Sequence, residues 1–127
     1  MIRRKTRQIV FHSFSGKKPE PDKATSMLLL RSLTHEDPEI RQSGARGLAL
    51  ICIAHLGQEN EISESLLRLF EYNARYSQFD DVREECIDAL AECRALGRLR
   101  SLTFEIGCND TRRYRDKVLR RLEQEIC

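Results

Sequence analysis

From residue 23 onward, apolar residues recur at steps of three and four, the spacing that lines one face of an α-helix. No stretch alternates apolar and polar positions as a half-buried strand would, and no hairpin dipeptide interrupts the pattern. The spacing predicts six helices. The first covers about 23–35, with Met27, Leu28, Leu29, Leu30 and Leu33 on a broad face. Asp37 then reads as an N-cap, because a short carboxylate accepts bonds from the free amides of the next turn, and Pro38 suits the first helical position. The second helix follows over 38–56, with Gly57 as a left-handed stop. The third covers 62–77, with Ile62, Leu66, Leu69, Phe70 and Tyr76 on one stripe. Asp81 is the predicted cap of a fourth helix over 82–96, with Glu84 at the third position completing a capping box and Gly97 ending it. A short fifth helix spans 98–106, carrying Leu99, Leu102, Phe104 and Ile106 before Gly107. Asn109 or Asp110 caps a sixth over 111–126.

The second half of the second helix is unusual. LALICIAHL, residues 48–56, carries no formal charge and is apolar at all but one position. A helix apolar on all sides is normally buried on all sides. The expected covers are the first, third and fourth helices and the apolar patch Ile9–Phe14. That patch is too short for periodicity to separate a strand from a turn of helix.

Two stretches read almost alike: DPEIRQSGARGL from Asp37 and DDVREECIDAL from Asp80. Aligned on the aliphatic–Arg pair, Ile40-Arg41 is followed by Gly44, Ala45 and Leu48 at +4, +5 and +8. Val82-Arg83 is followed by Cys86, Ile87 and Leu90 at the same offsets, and Tyr114-Arg115 by Val118, Leu119 and Leu122. An acid lies two to four residues before each anchor, and the periods are 42 and 32 residues. Recurrence of acid, Arg and preceding helix in three successive places points to one structural unit used three times. Gly44, Ala45 and Gly47 suit a close helix–helix approach.

On these residues the chain resembles the HEAT-repeat family, including its shorter HEAT-like variants, over about 24–126. The resemblance implies an all-α fold, a short α-solenoid of about three HEAT-like helical hairpins whose second helices line the inner face. It also implies that Asp37, Arg41, Asp80, Arg83 and Arg115 form a structural ladder between neighbouring repeats. The third unit departs from the pattern: Tyr114 replaces an aliphatic anchor, the acid drifts to Asp110, and the preceding helix is short.

Composition narrows the chemistry. The chain has 127 residues and a net charge of +2, but the charge is segregated. Residues 1–23 carry +5, residues 24–93 carry −7 and residues 94–127 carry +4. The division is a basic arm and linker over 1–22 and a helical repeat domain over 23–127. Five cysteines without a CxxC pair argue against a disulfide framework, and the three histidines form no ligand-spaced cluster with them, so no metal or other cofactor is expected. There is no phosphate loop, nucleophile elbow or HExxH, and the acids of 80–92 fall at solvent-face spacing, so no catalytic residue is expected and the chain reads as a non-enzyme. No apolar run approaches membrane-spanning length and no secretory signal is visible, which places the protein in the cytoplasm with no membrane partner.

The basic face of the last helix carries the functional reading. Arg113, Lys117, Arg120 and Arg121 lie opposite the Tyr114/Val118/Leu122 stripe, and Arg3, Arg4 and Lys5 extend the positive charge. The expectation is a protein–protein adaptor meeting an acidic protein surface, with nucleic acid as the alternative partner. Pairing of basic ends with an acidic middle makes a homo-oligomer a further expectation. Tyr72, Tyr76 and Phe79 are expected to close the third helix in the core, with a recognition patch as the alternative.

Overall fold

A computed structural model of the protein describes residues 23–57 and 61–126, and these are helical without a strand. The order is α1 (Lys23–Ser32), α2 (Pro38–His55), α3 (Glu61–Tyr76), α4 (Asp80–Glu92), α5 (Leu96–Ser101) and α6 (Asn109–Ile126). The basic arm and its apolar patch lie outside the described residues. No described helix is long and apolar enough to cross a membrane.

Asp37 caps α2 as its chemistry requires: its Oδ1 accepts from the Glu39 amide at 2.9 Å, and Pro38 opens the helix. Gly57 adopts φ +80° just past the last turn. The fourth helix begins earlier than expected. Its N-cap is Phe79, which offers no side-chain acceptor, and Asp80 and Asp81 already stand in the first turn. The register explains the shift. The Asp37 amide donates to His35 Nδ1, and 42 residues on the Phe79 amide donates to Ser77 Oγ, so Phe79 and not an aspartate is the counterpart of Asp37. The dipole of α4 is met instead by the two carboxylates of its opening turn.

The end of α4 also departs from expectation. The Ala95 amide reaches back to the Leu90 carbonyl at 2.9 Å, a Schellman closure, and Arg94 takes the left-handed position at φ 58°. Gly97 is therefore not a stop; it lies inside α5, which begins and ends early, and Ile106 stands fully exposed beyond it.

Packing follows chain order. α2 packs on α4 and α4 on α6, so the even helices lie side by side. α1 covers α2, α3 covers α4 and part of α2, and α5 sits across α4 and α6. The shared core is aliphatic, with Leu29, Leu48, Ile51, Phe70, Val82, Ile87, Leu90 and Leu99 wholly excluded from solvent. Full burial of each such side chain contributes about 1.5–3 kcal/mol toward holding the layers together. The closest approach is at Gly44, where an added Cβ would stand 2.6 Å from Ser32 Cβ and 3.0 Å from the Leu29 carbonyl oxygen. The same +4 position holds Cys86 in α4 and Val118 in α6, both buried, so only the first hairpin closes this tightly.

The expectation that LALICIAHL is covered on all sides does not hold. Leu48, Ala49, Ile51 and Cys52 are buried, but Leu50 is 46% exposed and Ile53 and Leu56 are 38% exposed. Tyr72 and Tyr76 are likewise solvent-facing, their rings 5.1 Å apart and tilted, whereas Phe79 is half-buried.

Candidate functional site

The three arginines of the repeated pattern share one task. Arg41 donates Nη1 to the carbonyls of His35 (2.7 Å) and Glu36 (2.9 Å) in its own hairpin turn. Its Nε reaches Asp81 of α4 at 3.1 Å, and its guanidinium lies 3.7 Å from the Phe79 ring centroid. Arg83 repeats this in register, donating Nε to the Ser77 carbonyl (2.5 Å) and Nη1 to Cys108 Sγ (2.8 Å) ahead of α6. Arg115 donates Nη1 to the carbonyls of Leu99 (2.9 Å) and Leu102 (2.8 Å), pairs through Nε with Asp116 and faces Phe104. A planar fork suits this work because it can satisfy several fixed carbonyls at once. Among the expected ladder acids, Asp37 is a cap and Asp80 stands in the first turn of α4; the carboxylate that Arg41 takes from the next hairpin is that of Asp81.

An open groove of about 580 Å³ lies across α2, α4 and α6. Ile53 of α2, Ala91 of α4, and Val118 and Leu122 of α6 give it an apolar floor. Asp88, Glu92 and Glu125 supply acid along it, and Arg94 and Arg121 supply base. Tyr114 bridges the two walls, its hydroxyl donating to both carboxylate oxygens of Asp88 at 2.7 and 2.8 Å. Two of the arginines around the groove are already engaged: Arg94 with Glu125 at 2.6 Å and Arg46 with Glu85 at 3.1 Å. Among the described residues neither Asp88 nor Glu92 forms an ion pair.

Burial dominates the electrostatics of these acids. Burial raises the proton affinity of Asp88, against the lowering effects of the Tyr114 bond, Arg121 and Arg46. Burial also raises that of Glu92, helped by Asp88 and Glu85, and that of Glu84, helped by Asp88, Asp80, Asp81 and Glu85. Tyr114 is pushed up by burial and by the carboxylate it holds. The acids of 80–92 thus do not form a simple solvated face; Asp88 and Glu92 turn into the groove. What could have revealed this is the +6 row, where Arg46, Asp88 and Arg120 share one offset from their anchors and the central acid is flanked by bases.

The basic residues of the last helix stand in solvent: Arg113, Lys117, Arg120 and Arg121 are all exposed along α6. Arg113 leans toward Asp110 at 3.7 Å, a weak surface pair. Arg3, Arg4 and Lys5 lie outside the described residues. Cys52, Cys86, Cys93 and Cys108 carry free thiols. Burial pushes the Cys86 thiol up to about 12, the reverse of what a nucleophile requires. Among the described residues no three His, Cys, Asp or Glu side chains converge in a way that could hold a metal ion.

Neither protein-family models, curated proteins nor solved structures yield a match to this chain.

Proposed function

We propose that the chain is a non-catalytic protein–protein interaction module, a short α-solenoid of about three HEAT-like hairpins acting as an adaptor in the cytoplasm. The partner docks across α2, α4 and α6, where shape and charge do the binding and no covalent step is involved. The observation that carries this reading is the groove itself: it runs over all three inner helices, with an apolar floor and the exposed base of α6 beside it. The in-register hooks of Arg41 and Arg83 support the repeat interpretation, since each ties its own turn to the following hairpin. The basic ridge of α6 favours a protein whose contact surface is acidic, because rim charges steer encounter and set register.

The test uses the full chain as bait in native lysate, with mass-spectrometric identification of what it retains. Its counterpart carries Arg113→Glu, Lys117→Glu and Arg120→Glu. The variant is expected to stay helical by circular dichroism and to lose the partner. Equal recovery by both proteins removes the ridge from the binding surface.

The same exposed arginines support a second reading, a nucleic-acid-binding accessory protein. Titration with duplex DNA at two salt concentrations separates the two: phosphate contacts give affinity that falls steeply with salt, and no binding at low salt eliminates this reading.

A further inference from the structure

Two cysteines end matching buried rows. On α2 the row Ala45, Leu48 closes on Cys52, and on α4 the row Cys86, Leu90 closes on Cys93. Cys52 is wholly buried and Cys93 is 7% exposed, and both belong to the one shared core. We propose that Cys52 and Cys93 are the site of a reversible disulfide, formed by a peroxide, that bolts α2 to the end of α4. The proposal stands apart from the docking-face reading, since it needs no partner.

Two observations carry it, and helix geometry permits it. The first is register. Arg41 of α2 bonds Asp81 of α4, 40 residues on, and Arg46 bonds Glu85, 39 residues on. Rising numbers meet rising numbers, so α2 and α4 run parallel at a nearly constant offset. Carried almost two turns further, that offset brings Cys52 level with the end of α4, where Cys93 is the C-cap. The second is contact. The Cys93 thiol donates to the Cys52 sulfur, and the Cys52 thiol faces the Ser63 carbonyl at 3.6 Å. As for geometry, packed helix axes stand about 8–10 Å apart, and each Cα lies about 2.3 Å from its axis. Facing Cα atoms are then roughly 3.4–5.4 Å apart, which overlaps the about 4.4–6.8 Å that a disulfide spans. Cys86 supplies the contrast. It is equally buried, and burial with the help of Glu85 pushes its thiol up to about 12. Cys52 is held below its ordinary value despite burial, first by the bond from Cys93 and then by the Arg98 charge, while the same bond drives Cys93 upward. Negative charge therefore collects on Cys52, and Cys93 keeps its proton.

The chemistry needs one peroxide and nothing else. The Cys52 thiolate attacks a peroxide oxygen, the O–O bond breaks, and hydroxide leaves behind a sulfenic acid. The Cys93 sulfur attacks the Cys52 sulfur, the S–S bond forms and the S–O bond breaks. The two thiol protons and the two peroxide oxygens depart as water; the sulfurs are oxidised and the peroxide is reduced. A dithiol reverses the bond by exchange and is itself left as the disulfide. Access sets the rate: attack on a wholly buried sulfur waits for the end of α4 to open locally. Ile53, Glu92 and Arg94, chain neighbours of the two cysteines, line the groove, so the bond fixes two of its walls to each other.

The experiment treats the full-length chain with hydrogen peroxide, alkylates the remaining thiols in denaturant, cleaves after glutamate and maps the peptides without reductant. Glu85, Glu92 and Glu105 then leave Cys86, Cys93 and Cys108 on separate peptides, with Cys52 on a fourth. The expected product is peptide 40–59 joined to peptide 93–105, found in the monomer band of a non-reducing gel and lost on adding dithiothreitol. Cys86→Ala should still form it. Recovery of Cys52 and Cys93 as alkylated thiols overturns the proposal, as does a link from Cys52 to Cys86 or a link confined to a dimer band. A thermal melt supplies a second readout. The bond closes a loop of about 40 residues in the unfolded chain, so the oxidised protein should melt higher by on the order of 10 °C. Cys93→Ala treated in the same way should show no such rise. An oxidised chain that melts at or below the reduced one shows that the bond does not fit this fold, and the proposal fails.

Discussion

Arg41→Ala is the sharpest probe of how the hairpins are joined. The arginine side chain is 9% exposed and satisfies two turn carbonyls, one carboxylate and an aromatic face. Truncation leaves His35 and Glu36 with unpaired carbonyls and Asp81 with an uncompensated charge. Breaking a buried pair by removing one partner costs about 3–5 kcal/mol. Asp81 is 22% exposed and recovers some hydration, which brings the expected loss to about 3 kcal/mol. That is a large share of the roughly 5–15 kcal/mol available to a domain of this size. Arg41→Lys keeps the charge but not the fork, so about half the loss should remain. Urea denaturation followed by circular dichroism measures both, provided the slope stays constant. Arg46→Ala is the control, because its pair with Glu85 has an arginine 44% exposed and should contribute less than about 1 kcal/mol. A double-mutant cycle with Asp81→Ala then separates the bond between hairpins from the bonds within the turn. An Arg41→Ala loss no greater than that of Arg46→Ala would refute the idea that this arginine couples neighbouring hairpins.

Gly44→Ala should destabilise by about 1–2 kcal/mol, since overpacking against Ser32 Cβ and the Leu29 carbonyl outweighs the roughly 1 kcal/mol gained in helix propensity; a rise in melting temperature contradicts the close approach. Arg94→Gly should stabilise by about 1 kcal/mol, because relief of the left-handed strain exceeds the loss of an exposed pair with Glu125, and a fall in the urea midpoint argues otherwise. Glu84→Gln should raise the unfolding midpoint at pH 7. Burial and neighbouring acids raise the proton affinity of Glu84 in the folded state, so its ionised form is penalised there. The penalty fades as pH falls through the raised value toward the ordinary carboxylate pKa of about 4.3. The variant's advantage should therefore vanish on acidification, and an advantage independent of pH assigns the effect to something other than this carboxylate.

The all-helical fold and its buried rows were legible because burial at +4, +5 and +8 is a local consequence of helical spacing. Gly44, Ala45 and Leu48 are buried in α2, and Cys86, Ile87 and Leu90 in α4. Two things were not legible. Spacing placed the aspartates near the start of α4 but could not tell that Ser77 would take over the turn bond and leave Asp81 free for Arg41. Hydropathy marked Leu50 and Ile53 as apolar but could not say that both stand exposed, or that Ile53 lines an open groove. The groove assembles Ile53, Asp88 and Tyr114 from three separate helices, so no single window of sequence contains it. Tyr114 looked like a poor substitute for an aliphatic anchor; its half-buried ring keeps that place while the hydroxyl holds Asp88.

The two ends of the packing order are chemically unlike. α1 turns Met27, Leu28 and Leu30 toward water, whereas α6 turns arginines and a lysine. Stacking copies head to tail would press leucines onto guanidinium groups and strip their hydration without compensation. Leucine meeting leucine across a twofold axis carries no such cost, and it uses up both sticky edges at once. Were copies of this chain to associate, the unlike faces of α1 and α6 would favour a closed twofold pair over an open-ended stack.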